Sequence, residues 1–148
     1  MEKNQIIIDA SNLLLGRLSS IVAKQLLLGK YVTIVNSEKV VISGSRRSIL
    51  ESAKRNLRTR TLGAQSKAPK HPRRPEGIVR RTVRGMLPLD KAKGRAAYHR
   101  LRVFIEVPEA LFKQGTITLP EAKARKGSVV LTVNEVAKNI GWNAPLEG

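Results

Sequence analysis

Basic side chains that can bind phosphate are concentrated in the middle of the chain. Residues 46–102 contain 18 Lys and Arg residues and only three acidic ones. Most are arginines, whose planar guanidinium groups match two phosphate oxygens at once. Three adjacent pairs could bind neighbouring phosphates: Arg46-Arg47, Arg73-Arg74 and Arg80-Arg81. Because a merely solubilising surface would mix both signs of charge, this stretch indicates a polyanionic partner.

The net charge of the whole chain also indicates a polyanionic partner. Its formal net charge is +17, yet outside the basic stretch 10 basic residues face 8 acidic ones. A length of 148 residues suits one domain over residues 1–148. No apolar run approaches the roughly 20 residues that span a bilayer, and the N-terminus lacks a signal-peptide pattern. We therefore expect a soluble cytoplasmic protein with no membrane partner.

Residue patterns that would support catalysis or cofactor binding are missing. Cysteine is absent, which excludes disulfides and thiolate metal sites. Gly29-Lys30 does not complete a phosphate-binding loop, since Lys24 stands where the first glycine is required. Of the two histidines, His71 suits a phosphate or base contact, and His99 a structural or surface position. We predict no enzyme activity, cofactor, metal or small-molecule substrate.

The composition favours contacts to backbone and shape over base reading. Aromatic residues make up 3% of the chain, too few for the stacking surfaces of common single-strand binders. Zinc-finger spacing and leucine-zipper heptads are also absent. Structured RNA and non-specific DNA binding both fit, so a DNA-compacting protein is the second hypothesis. An enzyme acting on nucleic acid is the third.

The first third of the chain predicts a β-α-β unit with two parallel strands. Residues 6–8 and 31–35 are apolar strand candidates. The helix between them should be capped by Asp9 or Ser11 and end at Gly29. Its apolar stripe consists of Leu14, Leu18, Ile21, Val22 and Leu26, and Arg17 and Lys24 share another face. Residues 40–42 form a further strand candidate.

The basic stretch should contain three helices and a loop. Ser45 can cap a helix to about residue 60, with inward-facing Ile49, Leu50, Ala53 and Leu57. Residues 63–77 have three prolines and no large apolar side chain, so we expect an extended, mobile loop. A helix over residues 78–87 should end at Pro88, and a shorter one over residues 90–99 is weakened at Gly94.

The last third predicts two strands and a closing helix. Apolar residues alternate over residues 101–107, which indicates a half-buried strand that Pro108 ends. Residues 129–133 are a late strand candidate. Asn134 can cap a helix to about residue 140, followed by Gly141. Together with the β-α-β unit, these elements predict the α/β class.

Several ordered strings resemble the ribosomal protein L13 family of the large subunit. The opening of that family is similar to Ile8-Asp9-Ala10, Leu15-Gly16-Arg17-Leu18-Ser19-Ser20 and Val22-Ala23-Lys24-Gln25-Leu26-Leu27. Val35-Asn36-Ser37-Glu38 and Ile42-Ser43-Gly44 resemble its next block. The strongest likeness is the string Arg80-Arg81-Thr82-Val83-Arg84-Gly85-Met86-Leu87-Pro88. The resemblance as a whole extends over roughly residues 5–108. Pro72-Arg73-Arg74-Pro75 and the compact length look like the archaeal form.

The resemblance implies a three-layer α/β/α fold with a small, largely parallel central sheet of about four strands. It also implies binding to large-subunit (23S-type) ribosomal RNA beside neighbouring ribosomal proteins, early in subunit assembly. Gly85 would contact RNA or be a close packing point, and Met86 and Leu87 would be core residues. With the basic stretch, the predicted RNA ligands are Arg17, Lys24, Arg46, Arg47, Lys54, Arg55, Arg58, Arg60, Lys67, Lys70, His71, Arg73, Arg74, Arg80, Arg81, Arg84, Lys91, Lys93, Arg95 and Arg100.

Overall fold

Three parallel strands form the centre of the molecule in a computed structural model that describes residues 4–144. They are β1 (Gln5–Asp9), β2 (Tyr31–Val35) and β4 (Leu101–Val103), in the order β1-β2-β4. Ile8 lies opposite Ile34, and Val32 opposite Leu101. Two other strands, β3 (Val41–Ser43) and β5 (Val130–Thr132), pair antiparallel in a separate small sheet. The predicted α/β class and small parallel sheet are confirmed, with three strands in that sheet instead of about four.

Five α-helices accompany the strands in the part of the chain that the structure describes. They are α1 (Leu15–Leu27), α2 (Arg46–Arg58), α3 (Pro75–Gly85), α4 (Ala92–His99) and α5 (Val133–Asn139). Leu18, Val22 and Leu26 of α1 are fully buried, as the stripe predicted. Helix α1 packs against α3 and α4, and α3 also contacts β4 and α5. The basic helices α3 and α4 are therefore anchored to the core through α1 and β4.

Helix α2 is attached to the rest of the fold less firmly. None of its side chains is fully buried, and its inward residues Ile49, Leu50, Ala53 and Leu57 are half-buried. The predicted cap is confirmed, since Ser45 Oγ accepts a hydrogen bond from the Ser48 N–H at 3.3 Å. A side chain that is half-buried contributes only part of its transfer free energy to stability. The helix therefore presents most of its surface, including its basic residues, to solvent.

The ends of three other elements differ from the prediction. Residue 14 is the N-cap of α1, so neither Asp9 nor Ser11 caps that helix. Helix α5 is capped by Thr132, not Asn134: Thr132 Oγ1 accepts from the Glu135 N–H, and Glu135 Oε2 accepts from the Thr132 N–H. Helix α3 begins at Pro75, so the last three residues of the predicted 63–77 loop are helical, and Gln65–Lys67 within it form a short 3-10 helix and are not extended.

The strand predicted for residues 101–107 ends early, at Val103. Beyond it the chain turns onto the segment that follows β2, and the Ser37 N–H donates to the Phe104 carbonyl at 3.2 Å. Glu106 has a φ of +57° and its N–H donates to Glu38 Oε2 at 3.1 Å. A left-handed residue cannot continue a regular strand. Alternating apolar residues were therefore misleading, because tertiary contacts decide the path here.

Gly85 and Met86 at the end of α3, and Gly94 in α4, differ from what the sequence suggested. Leu87 is buried as predicted, but Met86 is 42% exposed and is not a core residue. A Cβ atom on Gly85 would meet no atom within 4 Å, so Gly85 is not a packing point. A Cβ atom on Gly94 would lie 1.9 Å from the Pro88 carbonyl oxygen. Gly94 is thus the residue that requires close approach, and Gly85 lies open to solvent.

Asp9 joins the end of β1 to the turn that follows β2. One carboxylate oxygen, Oδ1, accepts from the Ser11 N–H, the Ser11 hydroxyl and Asn36 Nδ2 at 3.1, 2.7 and 2.9 Å. Burial acts to raise the pKa of Asp9, but these bonds and nearby Lys39 outweigh it and hold the pKa below 3.8. A carboxylate whose pKa is lower in the folded than in the unfolded state stabilises the fold at pH values above its unfolded-state pKa. That contribution is lost as the pH falls through the folded-state pKa.

We therefore expect Asp9→Asn to lower the free energy of unfolding by about 1 kcal/mol at neutral pH, where the carboxylate is charged. Wild type and variant should converge in acid below the folded-state pKa, where Asp9 is protonated. Denaturant unfolding at both pH values measures the difference. An equal difference at the two values would mean that the charge on Asp9 does not stabilise the fold.

Candidate nucleic-acid interface

Helix α3 presents an apolar face to the core and a cationic face to solvent. Val79 and Val83 are fully buried, whereas Arg80, Arg81 and Arg84 are exposed. The guanidinium carbon of Arg80 lies 4.9 Å from the centre of the Tyr98 ring of α4. Such a contact stabilises an exposed cation by about 0.5–1 kcal/mol and restricts its position. The three arginines thus lie on one ordered helical surface, with none of their guanidinium groups in an ion pair within residues 4–144.

The end of the proline-containing loop lies against this surface. Arg81 Nη1 donates to the Lys70 carbonyl at 2.8 Å. A Cβ atom on Gly77 would be 2.8 Å from Pro72 Cβ, so the glycine allows the loop to approach α3 closely. These contacts bring Lys70 and His71 beside the arginines of α3.

A basic cleft results between the loop, α3 and α4, with a volume of about 680 Å³. No acidic residue within residues 4–144 lines it. Its lining consists of Pro69, Lys70, His71, Pro72, Gly77, Arg80, Arg81, Arg84 and Tyr98. Guanidinium and ammonium groups that converge without a counter-ion favour a phosphate-bearing ligand.

Helix α2 carries a second basic surface. Lys54, Arg55 and Arg58 line a shallow hollow of about 300 Å³ together with Glu51. Unlike the arginines of α3, the two at the start of α2 have acidic partners: Arg47 Nε lies 2.9 Å from Glu51 Oε1, and Arg46 Nη1 lies 3.5 Å from Glu135 Oε1. Exposed ion pairs contribute only about 0–1 kcal/mol, so a phosphate can compete for both arginines.

The remaining predicted ligands are spread over the same elements. Arg74 pairs with Glu76 at 2.6 Å, and the Arg73 guanidinium lies close to Gly141. Arg100 is half-buried and donates through Nη2 to the Leu26 carbonyl at 2.8 Å, which satisfies the C-terminal end of α1. The others are exposed on α1, on α4 or in the segments beside α2 and α4: Arg17, Lys24, Arg60, Lys67, Lys91, Lys93 and Arg95.

Two residues that shape these surfaces were not predicted from the sequence. Tyr98 orders Arg80, and Met86 lines a separate cleft with Lys24 and Lys93. The sequence signal for Tyr98 was weak: a tyrosine ring can attract a guanidinium group, but Arg80 lies on another helix. None existed for Met86, whose apolar character is equally consistent with a core position.

Within residues 4–144, no group of three or more His, Asp or Glu side chains could hold a metal ion. In the same part of the chain, every helix is too short or too polar to cross a bilayer.

Comparison with known proteins identifies the family. The family model described as ribosomal protein L13 matches residues 3–110. The large ribosomal subunit protein uL13 of Aeropyrum pernix is 42% identical over 99% of this chain and 96% of its own length. The uL13 proteins of Methanosarcina barkeri and Archaeoglobus fulgidus are 45% and 43% identical, over 91% and 92% of this chain and 96% and 87% of their own lengths.

These matches confirm the resemblance seen in the sequence strings, including its archaeal character, and they agree with the prediction of a non-enzymatic protein. The chain belongs to the ribosomal protein L13 family.

Proposed function

We propose that this protein is a structural component of the large ribosomal subunit that binds large-subunit ribosomal RNA through its phosphate backbone. The observation that carries the proposal is the basic cleft, where Lys70, His71, Arg80, Arg81 and Arg84 converge without an acidic residue. The names of the archaeal relatives, which are large-subunit proteins, support the ribosome as the setting.

Two basic surfaces allow the protein to contact more than one segment of RNA. The basic cleft binds one segment, and Lys54, Arg55 and Arg58 of α2 bind another. The lightly packed α2 can adjust its position, because none of its side chains is fully buried. A protein that joins two RNA segments stabilises their relative arrangement, which is useful while the RNA is still folding. We therefore place its binding early in subunit assembly.

The individual ligands divide by their environment. Arg80, Arg81 and Arg84 are the principal phosphate contacts, with Lys70 and His71 from the loop. Phosphate groups replace the glutamate partners of three further arginines, Arg46, Arg47 and Arg74. Arg100 serves α1 instead, because its side chain is half-buried, unlike those of the α3 arginines, and donates to the Leu26 carbonyl. Neighbouring large-subunit proteins and a ribosome-bound location in the cytoplasm complete the proposal.

Sedimentation of the tagged full chain from cell extracts tests this function. We expect the protein in the large-subunit and whole-ribosome fractions, and also in precursor particles after a short labelling pulse. Treatment with DNase should leave that distribution unchanged. Sedimentation with DNA and absence from large subunits would establish the DNA-compacting alternative, and absence from precursors would refute early binding.

A further inference from the structure

A second cleft lies between α1 and the connection from α3 to α4. It has a volume of about 400 Å³ and lies apart from the basic cleft, sharing none of its lining residues. Its apolar wall includes Leu28 and Met86, which are 65% and 42% exposed. Single exposed apolar side chains are ordinary, but these two line the same shallow cleft and form an apolar patch that a ligand can cover.

The rim of this cleft is cationic. Lys24 of α1 and Lys93 of α4 both line it, and none of the acidic residues that the structure describes does. Neither lysine has a carboxylate within ion-pair distance in the described part of the chain. The site therefore suits a ligand with a flat or compact apolar body and negative charges at its edge.

A nucleotide of RNA has these two properties. The elements that form the cleft also carry exposed Arg17, Arg84 and Arg95, which favours a polyanion over a single acidic protein segment. The thioether of methionine is polarisable and makes favourable contacts with aromatic rings, including the ring of a base. Proteins commonly recognise RNA through unpaired bases turned out of a helix.

We propose that this cleft, formed by Lys24, Leu28, Met86 and Lys93, holds the base of one unpaired nucleotide of large-subunit ribosomal RNA. Lys24 and Lys93 bind the phosphates on either side of that nucleotide. Among the described residues, Ser20 supplies the only neutral polar side chain of the lining, so the cleft accepts a base largely by shape and discriminates weakly between bases. This inference rests on the proposed RNA binding and adds a specific class of ligand to it.

The experiment combines affinity measurement with chemical probing, using an archaeal large-subunit ribosomal RNA transcript and the full chain. Met86→Ser and Leu28→Ser remove the apolar wall at exposed positions, and Lys24→Ala with Lys93→Ala removes the rim. Phe112→Ser, 68% exposed outside both clefts, and the pair Lys113→Ala with Lys126→Ala are the matched controls.

We expect wild type to protect one unpaired base from base-modifying reagents, and Met86→Ser to restore its reactivity. Met86→Ser should lower affinity about tenfold without changing its salt dependence, because an apolar contact releases no counter-ions. The lysine pair should lower the slope of log affinity against log salt by about 1.4–1.8, as expected for two phosphates. The control variants should behave as wild type.

Three results would overturn the proposal. Unchanged protection and affinity in both wall variants would show that no base enters the cleft. Normal RNA binding by these variants, with loss of one ribosomal protein from purified subunits that contain them, would assign the cleft to a protein segment. Failure of wild type to bind the transcript would reject RNA binding as a whole, whereas the first two results leave the basic cleft and its function intact.

Discussion

Replacement of Gly94 by alanine is expected to destabilise the protein by at least about 2 kcal/mol, although alanine ordinarily favours a helix over glycine by roughly 1 kcal/mol. The added Cβ atom would lie 1.9 Å from the Pro88 carbonyl oxygen and 2.4 Å from its carbonyl carbon. These are backbone atoms, so no side-chain rotation relieves the clash. Helix α4 must therefore move away from Pro88, in the connection between α3 and α4.

Thermal unfolding measures this effect, and a midpoint lower by about 4–8 °C is expected for a domain of this size. Gly16→Ala is the matched control, because Gly16 is also helical and a Cβ there would meet no atom within 4 Å. It should be neutral or slightly stabilising. If Gly94→Ala unfolds at the same temperature as Gly16→Ala, the close approach of α4 to Pro88 is wrong.

The double variant Arg80→Ala with Arg84→Ala should lower affinity for large-subunit ribosomal RNA about 100-fold. Hydrogen bonds to charged groups contribute roughly 1.5–3 kcal/mol each, and 1.4 kcal/mol corresponds to a factor of ten. Both side chains are exposed and point away from buried Val79 and Val83, so the variant should fold normally. Filter binding and thermal unfolding of the same samples measure the two quantities.

Two comparisons make this result specific. Arg80→Lys with Arg84→Lys keeps the charge but removes the bidentate hydrogen bonds that a guanidinium group makes to phosphate, and should recover only part of the affinity. The distant pair Lys113→Ala with Lys126→Ala removes the same charge and should leave binding close to wild type. A melting temperature that falls by more than a few degrees in Arg80→Ala with Arg84→Ala would show that these arginines are structural.

Much of the fold could be predicted because its signals are local. The apolar stripe of α1, the parallel strands on either side of it and the Ser45 cap of α2 depend on residues close together in the sequence. The amphipathic character of α3 is likewise written in its sequence, since buried Val79 and Val83 alternate with arginines at helical spacing.

The errors arose where distant residues decide the structure. The strand at residue 101 stops early because the chain turns to meet the Ser37 N–H. Gly85 was offered as a possible packing point and Gly94 only as a weak position in a helix, because only the packed structure shows that Gly94 is the glycine that faces Pro88. Met86 was expected in the core, and its apolar side chain gave no sign that it faces solvent.

The candidate site was predictable in composition but not in arrangement. The basic stretch contains all the cations of the α3 cleft, and the charge imbalance alone indicates a polyanion. That Lys70 and His71 lie beside Arg80 follows from the hydrogen bond between Arg81 and Lys70, eleven residues apart. That Arg46 and Arg47 of α2 have acidic partners, whereas the arginines of α3 have none within residues 4–144, likewise needed three-dimensional contacts.

Phosphate binding by the basic cleft is tested by the salt dependence of affinity between the full chain and an archaeal large-subunit ribosomal RNA transcript. Each phosphate that a basic side chain neutralises contributes a slope of about 0.7–0.9 in log affinity against log salt. With phosphates bound to Lys70, Arg80, Arg81 and Arg84 in the basic cleft, we expect a slope of at least about 3, lowered by about 1.4–1.8 in the Arg80→Ala with Arg84→Ala variant. An affinity that scarcely changes with salt, or an equal slope in wild type and variant, would contradict binding through the phosphates at α3.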